Sequence, residues 1–445
     1  MASAAGRPHQ GWTVSRRTNV PSARPLLVGV GVAALVGLGV ASTASAAPPS
    51  DTTAPVVDSV TSTDFPPSGS TPTHHAAQAG RLSLTVHDEG SGLANVQWVL
   101  DGQFATGSPT RDSRTSGTQF LHGAASATVT VTVTPPSFGN HMLAVRAIDR
   151  AGYESQPTSY SFFVPTNPTP QVKGDLTGDG VPDLLVTDAA GELEVLPGTG
   201  SGRVGRGIAV AGPSDSVDWR GTVLARVTTG LSDVDQVLTH RPGSTTLLQW
   251  RNDGIGDLAA PALVVHPFCG AATCPADFPK DFGGLTSMVT TGTGTATTAL
   301  VTIEGGKAYL YPVGIRIGSG VPLPLDGVDL TRSDLVAPGD VDGDGRPDLW
   351  VRDRTTGTLT QFAGTDDGFS STGTVVADHG FSVRRSPVVT SVGDLTGDGV
   401  GDLVTADAGT ALRSRPVTDL SSVGRLLSPA RAGAYVAVEG QPLTP

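Results

Sequence analysis

Short stretches in which hydrophobic and polar residues alternate follow one another along most of the chain. Between about residues 54 and 164 they include 82–86 (LSLTV), 96–100 (VQWVL), 127–133 (ATVTVTV) and 142–147 (MLAVRA). Alternation with a period of two, bounded by Gly, Asp, Asn and Pro, is typical of antiparallel strands with one buried face. Two such sheets in about 110 residues predict a β-sandwich over residues 55–165.

A repeated segment dominates the remaining chain. Residues 174–186 (GDLTGDGVPDLLV), 339–351 (GDVDGDGRPDLWV) and 393–405 (GDLTGDGVGDLVT) align without gaps. Each is an acidic, glycine-rich loop followed by an apolar strand. The interval between the first two copies is about three times that between the last two, so two further copies are expected in between.

Two degenerate copies fill this gap, within residues 235–250 and 298–311. Each has a strand, a turn and a second strand but lacks the acidic loop. Further short strands at 208–210 and 374–376 complete sheets of four strands. Five repeated small sheets predict a β-propeller of about five recognisable blades over residues 174–445, because radial closure protects sheet edges. The predicted fold class is therefore all-β.

The acidic loops have the composition of a calcium site. Oxygen-bearing side chains occupy positions 1, 3, 5 and 9, and position 7 offers a backbone carbonyl, whereas calcium binds six to eight oxygens. Glycine at position 6 permits a left-handed turn. The predicted ligands are Asp175, Thr177, Asp179, Val181, Asp183, Asp340, Asp342, Asp344, Arg346, Asp348, Asp394, Thr396, Asp398, Val400 and Asp402.

Two alternatives to this interpretation are an EF-hand and a metal-free acidic turn. An EF-hand needs an acid at position 12, where this chain has Val186, Val351 and Thr405, and its loop is flanked by helices rather than strands. Three in-phase loops favour metal over acidic turns without it. Because Thr stands at position 3 in the first and third loops, the loop 340–348 is expected to bind calcium most tightly.

The three loops and the strands that follow them resemble the FG-GAP/VCBS repeat family, which includes the propeller of integrin α-subunits. This resemblance covers about residues 174–435 and implies a propeller with calcium in each intact blade. Residues 88–94 (DEGSGLA) and 147–153 (AIDRAGY) resemble bacterial immunoglobulin-like domains. That second resemblance implies a spacer or adhesion module in the sandwich.

The N-terminus is expected to direct export. Four arginines precede the 15-residue apolar run 26–40, and Ala44-Ser-Ala46 matches the small-x-small pattern of signal peptidase cleavage. We expect a signal peptide over residues 1–46, a disordered leader over 47–54 and a Pro-rich linker over 166–173. A retained membrane anchor is the alternative, although the run is short for a bilayer span.

The chain has two cysteines, Cys269 and Cys274, both within an apparent insertion. In an exported protein a pair this close more often forms a disulfide than a metal site, because zinc needs further ligands nearby. We therefore expect a local disulfide.

The net charge and the absence of known catalytic motifs limit the classes of function that the sequence allows. The net charge of −12 becomes −16 without the signal segment, which disfavours a nucleic-acid partner. The sequence lacks the motifs of serine hydrolases, zinc proteases and P-loop enzymes. We expect a secreted, non-catalytic binding or adhesion protein with an unknown protein or glycan ligand at the cell exterior. Contact with the membrane is expected only through the signal segment, before its cleavage.

Two other functions stay open at this point. A lectin would stack sugars on aromatic residues of the second hairpin strand, whereas packing between blades uses the same positions. Those aligned positions are Leu196, Trp250, Tyr311, Phe362 and Arg415. A secreted polysaccharide hydrolase would need a pair of carboxylates across a cleft.

Overall fold

The computed structural model describes residues 51–102, 104, 115–167, 172–210, 218–229, 234–254, 257–259, 261–292, 298–406, 411–422, 424–427, 435–439 and 441–442. The predicted signal peptide and residues 47–50 of the predicted leader lie outside these ranges, as do residues 168–171 of the predicted linker. Within them, no helix is long and apolar enough to cross a membrane.

Seven strands form a sandwich at the start of the described chain. They are β1 (Val56–Thr61), β2 (Gly80–His87), β3 (Leu93–Leu100), β4 (Ser116–Ala124), β5 (Ser126–Val133), β6 (Gly139–Asp149) and β7 (Thr158–Val164). One sheet has the order β1-β2-β5, and the other has the order β4-β3-β6-β7. Alternate residues of β2 and β7 are buried, as the period-two pattern predicts. Both sheets contribute to one core, in which Leu84 and Phe162 are fully buried.

The remaining strands form five blades. The first contains β8 (Leu184–Asp188), β9 (Leu193–Leu196) and β10 (Ile208–Ala209). The second contains β11 (Val223–Val227), β12 (Gln236–His240), β13 (Leu247–Trp250) and β16 (Ala262–Val264), with a small hairpin of β14 (Asn252–Gly254) and β15 (Asp257–Leu258). The third contains β17 (Leu285–Gly292), β18 (Thr298–Glu304), β19 (Lys307–Val313) and β20 (Val321–Leu323).

A single 3-10 turn, Leu330–Arg332, leads into the fourth blade. That blade contains β21 (Ser333–Gly339), β22 (Asp348–Asp353), β23 (Leu359–Phe362) and β26 (Thr374–Ala377), with a hairpin of β24 (Gly364–Thr365) and β25 (Gly368–Phe369). The fifth contains β27 (Val389–Gly393), β28 (Asp402–Ala406), β29 (Leu412–Pro416) and β30 (Arg425–Leu426). The last strands of the described residues are β31 (Tyr435–Val438) and β32 (Gln441–Pro442).

The end of the chain completes the first blade. In blades 2 to 5 the strands follow one another in sequence from the inside outward, whereas the first blade has the order β10-β9-β8-β31-β32. Strand β31 pairs antiparallel with β8, with Val438 opposite Val186 and Tyr435 opposite Asp188. The two inner strands of blade 1, β31 and β32, therefore come from the C-terminal segment, which joins the two ends of the propeller.

Hydrophobic cores between neighbouring blades form a complete ring. Five clusters each combine residues of two adjacent blades: Leu185 with Val237, Leu238 with Leu300, Val301 with Leu349, Trp350 with Leu403, and Val404 with Leu184. In the second strand of each blade, successive residues face the two blades on either side. This explains why the second strands are continuous apolar runs rather than alternating ones. The ring of five cores confirms the predicted all-β fold and closes with five blades.

The two cysteines form the predicted disulfide. Cys269 and Cys274 are bonded, with their Cα atoms 6.0 Å apart, in the segment between β16 and β17. The N–H of Gly270 donates to the carbonyl of Gly320 at 2.7 Å, and the N–H of Gly320 donates to Phe268 at 2.9 Å. The insertion is thereby attached beside the outer strand of blade 3.

Candidate metal centre

The three acidic loops occupy equivalent places in their blades. Loop 340–348 joins β21 to β22, and loop 394–402 joins β27 to β28. Each connects the innermost strand of a blade to the second strand. Loop 175–183 leads into β8 of blade 1, whose inner neighbour is β31. All three loops therefore lie at the same end of the propeller.

The first aspartate of each loop organises the backbone that follows. The Oδ1 atoms of Asp175, Asp340 and Asp394 accept hydrogen bonds from the N–H three residues later, at 2.6, 2.8 and 2.6 Å. The Oδ2 atoms accept from the N–H five residues later, at 2.9, 2.8 and 2.7 Å. The donors are glycines in the left-handed region, with φ of 78° at Gly343 and 86° at Gly345. Glycine adopts this conformation without steric penalty.

The last aspartate of each loop is buried beneath it. In blade 4, Oδ2 of Asp348 accepts from the N–H of Val341 at 3.0 Å, and Oδ1 accepts from Gly364 at 2.9 Å. Desolvation raises the pKa of Asp348, as it does for the equivalent Asp183 and Asp402. Because a buried carboxylate is stabilised by a nearby positive charge, these residues favour a cation in the loop.

Three carboxylates converge in loop 340–348. One oxygen from each of Asp340, Asp342 and Asp348 lies within 4.8 Å of the other two. Asp344 lies outside this group and is 3.4 Å from the guanidinium of Arg346. The structure therefore brings together three of the four predicted carboxylates of this loop.

The aspartate at position 5 stabilises the turn in all three loops. Its Oδ1 accepts the N–H two residues later: Asp179 from Val181 at 2.9 Å, Asp344 from Arg346 at 2.8 Å, and Asp398 from Val400 at 2.9 Å. Arg346 also forms an ion pair with Asp366 at 2.9 Å. Positions 5 and 7 therefore interact through this bond in each loop.

The loops of blades 1 and 5 have a threonine where loop 340–348 has Asp342. Thr396 Oγ1 donates to Oδ1 of Asp394 at 3.2 Å, and Thr177 Oγ1 donates to Oδ1 of Asp183 at 3.5 Å. Each hydroxyl thus neighbours a carboxylate without adding negative charge. Within the described residues, only the blade 4 loop of the three forms a cluster of three acidic ligands.

The blade 5 loop differs from the other two at one carboxylate oxygen. In the part of the chain that the structure describes, Oδ1 of Asp402 is buried and accepts no hydrogen bond. The equivalent atoms in blades 1 and 4 accept an N–H from the end of the third strand, for example from Gly198 at 2.9 Å. In blade 5 the corresponding N–H of Val417 donates instead to the carbonyl of Gly401, at 3.1 Å. An unpaired buried oxygen is a ready metal or water ligand.

The donor set fits calcium best in blade 4. A spacing of up to 4.8 Å between carboxylate oxygens is about twice a calcium–oxygen distance, so Asp340, Asp342 and Asp348 are placed to share one ion. Their backbone hydrogen bonds use only part of each oxygen's lone-pair capacity. A divalent cation would also relieve the mutual repulsion of the three carboxylates.

The loop of blade 1 contacts the sandwich and the chain that follows it. The N–H of Phe138, between β5 and β6, donates to the carbonyl of Thr177 at 2.8 Å. The N–H of Asn167 donates to the carbonyl of Gly178 at 2.7 Å, and its side-chain amide donates to the backbone carbonyl of Asp179 at 3.0 Å. This loop is accordingly more buried than the other two, with Asp175 4% exposed.

Blade 2 retains one aspartate of the loop, Asp235, which the sequence pattern did not indicate as a site residue. Asp235 directly precedes β12, as Asp183 precedes β8. Its Oδ2 accepts the N–H of Gly174 at 2.7 Å, and its own N–H donates to the carbonyl of Asp175 at 2.9 Å. The sequence signal for Asp235 is its position directly before an apolar strand. Residues 293–297, the corresponding loop of blade 3, lie outside the described residues.

The aromatic residues of the third strands are part of the interblade cores. Trp250, Tyr311 and Phe362 are 3%, 0% and 0% exposed. Sugar stacking needs an accessible ring face. These buried rings therefore pack between blades and cannot form the sugar-stacking surface that the lectin interpretation requires. Leu196 is buried as well. Arg415 is partly exposed and donates to the carbonyl of Ser422 at 2.6 Å.

A cavity of about 380 Å³ is lined by residues of the inner strands, including Arg226, Thr290 and Asp334. Glu439, which follows β31, reaches the same cavity and lies 3.4 Å from Arg226. Desolvation raises the pKa of Glu439, an effect that the charge of Arg226 opposes. This ion pair therefore connects the C-terminal segment to blade 2.

Comparison with known proteins adds little to this geometry. No family model matches the chain, and the search of curated proteins gives no match. Among solved structures, a quinonprotein alcohol dehydrogenase-like protein from Bacteroides thetaiotaomicron is 9% identical, with a TM-score of 0.26 over 81% of this chain and 94% of that chain. The Tc holotoxin pore of Photorhabdus luminescens is 14% identical, with a TM-score of 0.28 over 75% of this chain and 16% of that chain. At these TM-scores neither similarity carries an argument about function.

Proposed function

We propose that the protein is an extracellular, calcium-binding propeller of the FG-GAP/VCBS type that acts as a non-catalytic binding or adhesion module. The observation that carries this proposal is the convergence of Asp340, Asp342 and Asp348 within 4.8 Å. Calcium would be held by carboxylates in loops at one end of the propeller. It would supply positive charge and would fix loops that also form a surface for a partner.

Two features support a location outside the cell. The chain begins with the basic, apolar and small-residue segments of an export signal. A disulfide joins Cys269 and Cys274, and disulfides persist mainly in oxidising compartments. Calcium at such sites is also far more abundant outside cells than inside, which suits weakly binding loops.

The role of the loop residues supports binding rather than catalysis. The first and last aspartates of the blade 4 loop accept backbone N–H groups, which fixes their orientation toward the loop interior. Carboxylates fixed in this way are suited to holding an ion. We therefore propose that the loops determine the shape of a binding surface.

The proposal is tested by counting calcium bound to metal-free protein in equilibrium dialysis. The wild-type chain should take up calcium. Asp340→Ala should bind one ion fewer, because Asp340 both belongs to the converging group and accepts the N–H groups of Gly343 and Gly345.

Asp378→Ala is the matched control. Asp378 is exposed, lies in blade 4 and is paired with His379, away from the loop. Its calcium count should equal that of the wild type. Equal counts for Asp340→Ala and Asp378→Ala would reject the blade 4 site.

A further inference from the structure

A second acidic cluster lies in the sandwich, outside the propeller. One carboxylate oxygen from each of Asp51, Asp88 and Asp149 lies within 4.8 Å of the other two. Asp88 is 5% exposed and Asp149 is 2% exposed. These residues are far apart in the sequence, so the fold rather than a local loop brings them together.

The cluster connects both sheets of the sandwich. Asp88 directly follows β2 of the three-stranded sheet, and Asp149 is the last residue of β6 in the four-stranded sheet. Asp51 precedes β1 and is held by hydrogen bonds from the N–H of Thr53 at 3.0 Å and of Ser91 at 2.7 Å. Residue 51 was predicted to lie in a disordered leader, and the structure instead places its side chain against the sandwich.

Two buried oxygens of the cluster have no partner among the described residues. Oδ2 of Asp88 accepts the N–H groups of Gly90 and Gly92, at 3.1 and 2.6 Å, and Oδ1 of Asp149 accepts that of Tyr153 at 2.8 Å. Their other oxygens are buried, and among the described residues they accept no hydrogen bond. Such oxygens are costly unless a donor or a cation satisfies them.

The three carboxylates lack a compensating positive side chain in the part of the chain that the structure describes. Among the residues that the structure describes, none of the three aspartates forms an ion pair with lysine, arginine or histidine. The chain also leaves room for the carboxylate of Asp51, because a Cβ on Gly90 would lie 2.1 Å from its Oδ1. Glycine is therefore required there if Asp51 is to reach the cluster.

We propose that Asp51, Asp88 and Asp149 form a calcium site of the sandwich. Hard carboxylate oxygens at this spacing suit calcium, with water completing its coordination. The ion would neutralise three close carboxylates and satisfy the two unpartnered oxygens. It would also connect the segment that precedes β1 to both sheets. This site is separate from the propeller loops, so each can fail without the other.

The test compares Asp149→Asn with the wild-type chain, both purified metal-free. Asparagine keeps the side-chain shape and an oxygen that accepts the N–H of Tyr153, but it removes the charge. We expect Asp149→Asn to bind one calcium ion fewer per chain in equilibrium dialysis. In metal-free buffer it should melt at or above the wild-type temperature, because one of three mutually repelling charges is gone.

Asp58→Asn serves as the matched control, because Asp58 lies in the same sandwich, pairs with His87 at 2.7 Å and is outside the cluster. It should bind as many ions as the wild type. Asp51→Asn provides a second variant if Asp149→Asn fails to fold. The site is rejected if the cluster variant binds as many ions as the control. It is also rejected if the variant lowers the melting temperature equally with and without calcium, which would indicate a purely structural aspartate.

Discussion

At the residue scale, the three propeller loops differ chiefly at position 3. They share the hydrogen bonds of positions 1 and 5, at nearly the same distances. Position 3 is Asp342 in blade 4, and it is Thr177 or Thr396 in the other two. A carboxylate attracts calcium much more strongly than a hydroxyl, so this single position should rank the affinities of the loops.

Exchanging these residues tests the ranking in both directions. Asp342→Thr should weaken calcium binding at blade 4 by roughly tenfold, about 1.4 kcal/mol, because one charged ligand is lost. Thr396→Asp should strengthen binding at blade 5, because it recreates the three-carboxylate arrangement. Calorimetric titration of both variants measures the two changes. Unchanged affinities in both would show that position 3 is not a ligand.

At the element scale, closure of the ring depends on a strand that was not predicted. The strand β31 completes blade 1 through pairing with β8, and Glu439 follows it directly. Oε1 of Glu439 accepts the N–H of Leu185 at 2.8 Å, and Oε2 lies 3.4 Å from Nε of Arg226. The side chains of Arg226 and Glu439 are 9% and 7% exposed, so this pair is nearly desolvated.

Removing Glu439 should therefore weaken the contacts by which β31 and its following segment close the propeller. Glu439→Ala leaves the charge of Arg226 without its carboxylate and should lower the free energy of unfolding by about 3 kcal/mol. Denaturant unfolding measures this loss. Glu192→Ala, an exposed glutamate of the same blade, should unfold like the wild type. Similar curves for both variants would mean that the closing segment contributes little to stability.

The sequence predicts those elements whose whole signal lies within a short stretch of the chain. The three acidic loops carry their turn glycines and their following strand within about a dozen residues, and even degenerate blades keep a two-strand pattern. The strand β31 lacks such a signal, because it is short and pairs with residues about 250 positions earlier. For the same reason, the sequence did not indicate Asp235 or the cluster of Asp51, Asp88 and Asp149. These residues meet their neighbours only in the folded structure.

At the scale of the whole molecule, buried acids make the protein sensitive to pH. Desolvation raises the pKa of Asp175 to about 6, and it raises the pKa of the loop aspartates Asp183 and Asp348 as well. A carboxyl group whose pKa is higher in the folded state contributes stability at low pH. That contribution disappears as the pH rises through the folded pKa.

In metal-free buffer, the melting temperature should therefore be higher at about pH 5.5 than at about pH 7.5. With calcium the order should reverse, because protons compete with the ion for the same carboxylates. Thermal unfolding at both pH values, with and without calcium, measures the two trends. The same pH trend in both conditions would argue against metal binding by the buried acids.

Thermal unfolding of the metal-free chain during calcium titration tests whether calcium binds the folded propeller. Ligand that binds only the folded state stabilises it by roughly 2.7 kcal/mol per site at a hundredfold excess over the dissociation constant. The melting temperature should therefore rise with calcium concentration and fall again in chelator. Magnesium should substitute poorly, because it demands a tighter octahedral geometry. A melting temperature that is the same in calcium and in chelator, with no calcium uptake, would show that the propeller loops do not bind calcium.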